Sequence, residues 1–137
     1  MFSLGNASSV TLRNFWEVED GFVWSRGKWC EVIFDWQAVT ERQPGVTEVV
    51  LEFDVFKRPN ILLGQNVLTY LNGIRIGSTY VEHRMTTIFP IASSTLRAKD
   101  NVLTLDTPDS VVPTSYGFND TRDLGVQLFS MQIRRSG

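Results

Sequence analysis

The sequence has one cysteine, one histidine, and no apolar run that approaches the roughly 18 residues a membrane span requires. Each shortage excludes something. Cys30 has no partner for an internal disulfide, and its place in the run Trp29-Cys-Glu-Val-Ile-Phe34 reads as a small core side chain in a reducing compartment. His83 is the only imidazole, and there is no Gly-x-Ser-x-Gly elbow, phosphate-cradling glycine loop or His/Cys ligand spacing, so nucleophilic and zinc chemistry lack their groups. Carboxylates for glycoside hydrolysis are available in Glu17, Glu19, Glu31 and Asp35, but acids are routine on a solvated strand face. The chain is therefore expected not to be an enzyme. Its 13 basic and 15 acidic residues are interspersed and sum to −2, which leaves no electrostatic footprint for nucleic acid or an anionic membrane. The opening Met1-Phe-Ser-Leu-Gly5 also lacks the basic-then-apolar order of a signal peptide.

What is present is strand pattern. The length of 137 residues is that of one domain, 1–137, which should bury about two thirds of its extended surface. Phe15–Val18, Phe22–Ser25 and Lys28–Trp36 are short aromatic and β-branched runs punctuated by Asp20-Gly21 and Arg26-Gly27. In the third run Cys30, Val32 and Phe34 share an inward face, and Trp29, Glu31, Ile33 and Asp35 share an outward one. Thr47–Lys57 alternates most clearly, with Val49, Leu51, Phe53 and Val55 facing inward. Asn72-Gly73 between two strand runs predicts a tight hairpin, because both residues tolerate positive φ. Ser93–Asp100 has room for at most one helical turn. In the last strand Leu124, Val126 and Leu128 are apolar on even positions and Met131 and Ile133 on odd ones, a parity change that predicts a β-bulge or a strand passing between sheets. The fold class is all-β: an antiparallel β-sandwich, jelly-roll-like, of about eight to ten strands.

Trp16, the run Gly21-Phe-Val-Trp-Ser-Arg-Gly-Lys-Trp29, the hairpin Val67-Leu-Thr-Tyr-Leu-Asn-Gly73, Asn101-Val-Leu-Thr-Leu105 and the stretch from Ser115 to Gly125 come in a telling order. Together they resemble a carbohydrate-binding-module-like β-sandwich accessory domain of bacterial cell-envelope glycan enzymes, including surface-polysaccharide glycosyltransferases and phosphoglycerol transferases. The ending Asp120-Thr-Arg-Asp-Leu-Gly125 matches that group's Asp-x-Arg-x-Leu-Gly, whereas Phe118 stands where the group often has serine. The resemblance implies a non-catalytic module that helps assemble or modify a surface polysaccharide. Its partners would be the glycan and a parent catalytic domain, and the chain would be a piece of a larger enzyme. It further implies a cytoplasmic location, membrane-associated through the parent, or a periplasmic one if the parent is a phosphoglycerol transferase.

The residues themselves suggest two roles. A pyranose offers C–H groups on one face and hydroxyls at its rim, so an exposed indole beside carboxylates is the expected platform. Trp29 with Glu31 and Asp35 fits that pattern best, followed by Trp24 and Trp36, with Tyr116 as a loop aromatic. Asp120, Arg122 and Asp123 read as a structural clasp in which the planar guanidinium pins the loop over one end of the sandwich. No cofactor is expected; a structural calcium at Asp120 or Asp123 is possible but unsupported, since calcium takes roughly six to eight oxygens and carbonyls would have to supply the rest. The alternative to a glycan site is an interaction or oligomerisation domain whose exposed aromatics dock onto another subunit or a second copy.

Overall fold

The computed structural model describes residues 8–36, 46–57, 63–108 and 124–135. Among them nine strands form two antiparallel sheets: β1 (Ser8–Arg13), β2 (Val23–Arg26), β3 (Trp29–Asp35), β4 (Val46–Val55), β5 (Gln65–Leu71), β6 (Ile74–Val81), β7 (Met85–Ala92), β8 (Asn101–Asp106) and β9 (Leu124–Arg135). One sheet runs β1-β3-β8-β5-β6 and the other β2-β9-β4-β7. The chain changes sheet at every connection except the β5–β6 hairpin, as in a jelly roll. A single turn of 3-10 helix, Ser93–Thr95, leads from β7 towards β8.

The core is the set of inward positions from both sheets. Cys30, Val32 and Phe34 of β3 meet Val49, Leu51 and Phe53 of β4 across the sandwich, with Leu103, Leu105, Leu128 and Met131 filling between them. The parity change in β9 is a bulge. Glu52 pairs with Ser130 and Phe53 with Leu128, so Phe129 is the extra residue, and both Leu128 and Met131 point inward. The Asn72-Gly73 turn has φ of 51° and 83°, the pair of positive values a two-residue hairpin of this type requires. Asn72 goes further. Its amide N–H donates to the Val102 carbonyl (2.8 Å), and its Oδ1 accepts from the Val102 N–H (2.8 Å). Its Nδ2 donates to the Thr95 carbonyl and to Oδ1 of the buried Asn101. The hairpin is thereby tied to the neighbouring strand.

One feature departs from expectation. Phe15–Val18 is not a strand: Asn14 turns out of β1 at φ 60°, and the segment holds only isolated bridges, Phe15 to Ser25 and Glu19 to Phe22. The first strand is instead Ser8–Arg13, whose apolar residues are only Val10 and Leu12, a sparse pattern that suits an edge. A close contact also forms a seam between the sheets. Phe89 of β7 lays its ring on the backbone of β6 at Gly77, where an added Cβ would lie 2.0 Å from the ring. Only glycine leaves room for that contact.

The strand ends sort the molecule into two poles. Asp35, Asn101, Ala92 and the strand termini Ser8 and Arg135 lie at one pole; Trp29, Asp106, Val55 and Leu124 lie at the other. This second pole is closed by a buried polar knot. The Val126 N–H donates to Ser25 Oγ (2.9 Å), Thr107 Oγ1 donates to the Lys28 carbonyl (3.2 Å), and the Phe56 N–H donates to the Gly125 carbonyl (3.0 Å). A Cβ at Gly125 would sit 2.5 Å from Thr107 Oγ1 and 2.9 Å from Ser25 Oγ. Asp120, Arg122 and Asp123 of the expected clasp lie outside the described residues, whereas Gly125, which follows them, is a fixed part of this closure.

Candidate functional site

The outer face of the five-stranded sheet is organised in cross-strand rows. Trp29 of β3 stands opposite Asp106 of β8, which stands opposite Leu68 of β5 and then Ser78 of β6. The next row runs Arg13, Glu31, Thr104, Tyr70, Arg75. Beyond the first row, Asn66 faces Tyr80. Period-two geometry puts all of these on one side, because their sequence neighbours Cys30, Val67 and Leu105 are buried in the core. Trp29 is 45% exposed and Tyr80 52%.

The charges on this face are unequally satisfied. Glu31 reaches Arg13 at 3.5 Å, and Asp35 Oδ1 accepts from the Asp100 N–H at 3.0 Å, where it steadies a residue held at φ 57°. Asp106 has neither a hydrogen-bond nor an ion-pair partner for its carboxylate among the described residues. It is half-buried and directly beside the exposed indole. A cross-strand pair of this kind brings the two Cβ atoms within about 5 Å, so one ligand touches both. Sequence reasoning did not name Asp106, Thr104, Tyr70 or Tyr80 as a group with Trp29, because register across three strands is what assembles them.

The expected platform residues do not form one site. Trp29, Glu31 and Asp35 share the outer face of β3, as period two requires, but Asp35 lies at the opposite pole from Trp29. Trp24 belongs to the other sheet. Its ring meets Phe22 edge-on (centroids 6.2 Å) and Phe56 (6.5 Å), and Phe22 in turn packs on Phe129 (5.7 Å). Arg84 covers Phe129 at 3.6 Å and pairs with Glu52 at 2.8 Å. Trp36 packs against the core, and its backbone N–H donates to the Ala98 carbonyl. Trp16 lies beneath Arg26, 4.5 Å from the ring centroid. Tyr116 is outside the described residues.

Reactive groups are scarce. Burial and the adjacent Glu31 push the Cys30 thiol well above its ordinary range, and its Sγ–H points at the Leu105 carbonyl (3.8 Å), so it is an inert core side chain. Among the described residues no three His, Cys, Asp or Glu side chains gather closely enough to hold a metal ion. No described helix is long and apolar enough to cross a membrane.

No family model matches the chain, and no curated protein sequence matches it. Among solved structures it is similar to the CBM36-1 domain of a multidomain xylanase from the hindgut metagenome of Trinervitermes trinervoides, at 11% identity and a TM-score of 0.45, over 94% of this chain and 98% of that one. It is also similar to a CBM36 carbohydrate-binding module in complex with calcium and xylotriose, at 13% identity and a TM-score of 0.41, over 96% and 93% of the two chains. At such values neither the calcium nor the sugar of those proteins transfers to positions here, and the site rests on this chain's own residues.

Proposed function

We propose that the protein is a non-catalytic glycan-binding module whose ligand lies against Trp29 on the outer face of the five-stranded sheet. The observation that carries this reading is the exposed indole set in register beside a carboxylate that has no partner among the described residues. The indole face suits the C–H side of a pyranose, and Asp106 accepts hydrogen bonds from two vicinal hydroxyls. Thr104, Ser78 and Tyr70 supply further hydroxyls within the same rows. Catalysis is disfavoured by the setting. A glycosidase acid needs an enclosed apolar surround to hold its proton, whereas the described residues put Asp106 on a sheet face without such an enclosure, and Glu31 is engaged by Arg13.

The finer reading is that the module serves a bacterial enzyme of surface-polysaccharide assembly or modification, on the cytoplasmic side with a membrane-associated parent. It is supported by the resemblance of the Trp16–Trp29 segment and the Asp120–Gly125 ending to accessory domains of that kind. Ser8 and Arg135 lie at the pole opposite Trp29. Tethering raises the effective glycan concentration to the millimolar range, where a site worth only about 4 kcal/mol suffices. Calorimetric titration with oligosaccharides cut from candidate polysaccharides tests the reading. Millimolar binding by the wild type that drops at least tenfold in Trp29→Ala, with unchanged melting, is expected; binding that survives Trp29→Ala intact moves the site elsewhere.

A further inference from the structure

Resting on the glycan reading just given, we infer that the ligand is an extended polysaccharide chain laid across the strands and gripped through its interior residues, not a free sugar or a chain end. Three apolar stations stand on the outer face: Trp29 on β3, Leu68 on β5 and Tyr80 on β6. Asp106 lies between the first two, and Ser78 and Asn66 flank the path from Leu68 to Tyr80. With strands about 4.8 Å apart and about 3.4 Å per residue along them, Trp29 and Tyr80 are separated by roughly 16 Å. A single monosaccharide cannot bridge that span, and several consecutive sugars can.

Recognition of a chain end needs a wall against which the terminal sugar stops. The line from Trp29 to Tyr80 meets none among the described residues. Beyond β3 it passes the end of β1, where the last strand residue, Arg13, stands opposite Glu31 and is exposed. At the other side β6 is the sheet edge, and both Ser78 and Tyr80 are exposed there. Across the described residues a chain therefore has a path from one edge to the other, with Asp106 placed to meet hydroxyls in its middle.

The test is a length series of linear β-1,4-linked gluco-, manno- and xylo-oligosaccharides, from monosaccharide to hexasaccharide, titrated into the wild type, Trp29→Ala, Tyr80→Ala and Tyr80→Phe. The wild type should gain at least tenfold in affinity from mono- to tetrasaccharide, and borohydride reduction of the terminal sugar should leave hexasaccharide affinity unchanged. Tyr80→Ala should erase the gain with length while keeping the short-ligand affinity, Tyr80→Phe should restore it, and Trp29→Ala should weaken every length. A monosaccharide that binds as tightly as the tetrasaccharide overturns the extended-chain inference and leaves the glycan reading standing, as does loss of affinity on end reduction. Failure of every oligosaccharide to bind the wild type sinks the glycan reading and this inference with it. The wild-type series decides the matter even if Tyr80→Ala, whose ring rests over Gly64, proves unstable.

Discussion

The two outer faces of the sandwich carry similar side chains and use them differently. On the four-stranded sheet, Phe22, Trp24, Phe56 and Phe129 pack on one another, and the outward acids of β4 each have a cation: Glu48 with Arg134, Glu52 with Arg84, Asp54 with Lys57. On the five-stranded sheet, Trp29 makes no ring contact with another described aromatic, and Asp106 has no partner among the described residues. The first face is richer in aromatics and is the poorer candidate for a ligand, because its rings and charges are already committed to the fold. An aromatic count does not mark a binding surface. An exposed ring beside an unsatisfied polar group does, since that pair gains most from an added molecule.

The seam that holds both faces together gives the largest expected effect. Gly77→Ala drives a methyl into the Phe89 ring, and neither the β6 backbone nor a ring 7% exposed has room to yield. Overpacking of this kind costs about 3 kcal/mol. Urea unfolding should show that loss, and a variant with unchanged midpoint would mean that the sheets slide freely at this edge.

Next comes the committed face. Phe129→Ala removes the bulged ring that touches Phe22 and carries Arg84, and the loss should be about 2 kcal/mol for a half-buried phenylalanine with its cation contact. Glycan affinity should stay within twofold of the wild type when measured well below the melting temperature. If Phe129→Ala instead weakens binding while leaving the melting curve in place, the two faces exchange roles.

Much of the fold is legible in the sequence, and the site is not. Period two separates inside from outside along β3 and β4, the parity change places the bulge near Phe129, and Asn72-Gly73 fixes a hairpin. These are local signals, set by one strand's own geometry. Strand β1 is faint because an edge strand needs only Val10 and Leu12 to lean on the core. Which sheet a strand joins is not local at all. Trp24 and Trp29 are both outward residues on either side of Gly27, yet the turn at φ 73° passes the chain from one sheet to the other and puts them on opposite faces. The pairing of Trp29 with Asp106 likewise depends on register between strands far apart in the chain.

The smallest expected effect on stability is the sharpest test of the comparison. Asp106→Asn removes a charge that no described protein group compensates, so unfolding free energy should change by less than about 0.5 kcal/mol or rise slightly. Glu52→Gln, in contrast, breaks the ion pair that holds Arg84 over Phe129 and should lose up to about 1 kcal/mol, less in high salt. A half-buried carboxylate with no partner among the described residues, beside an exposed indole, is available to a ligand if that small stability change is what unfolding shows. The expected counterpart is a glycan affinity lowered several-fold in Asp106→Asn and untouched in Glu52→Gln. If Asp106→Asn destabilises the fold as much as Glu52→Gln does, its carboxylate is structural, and the contrast between the two faces disappears.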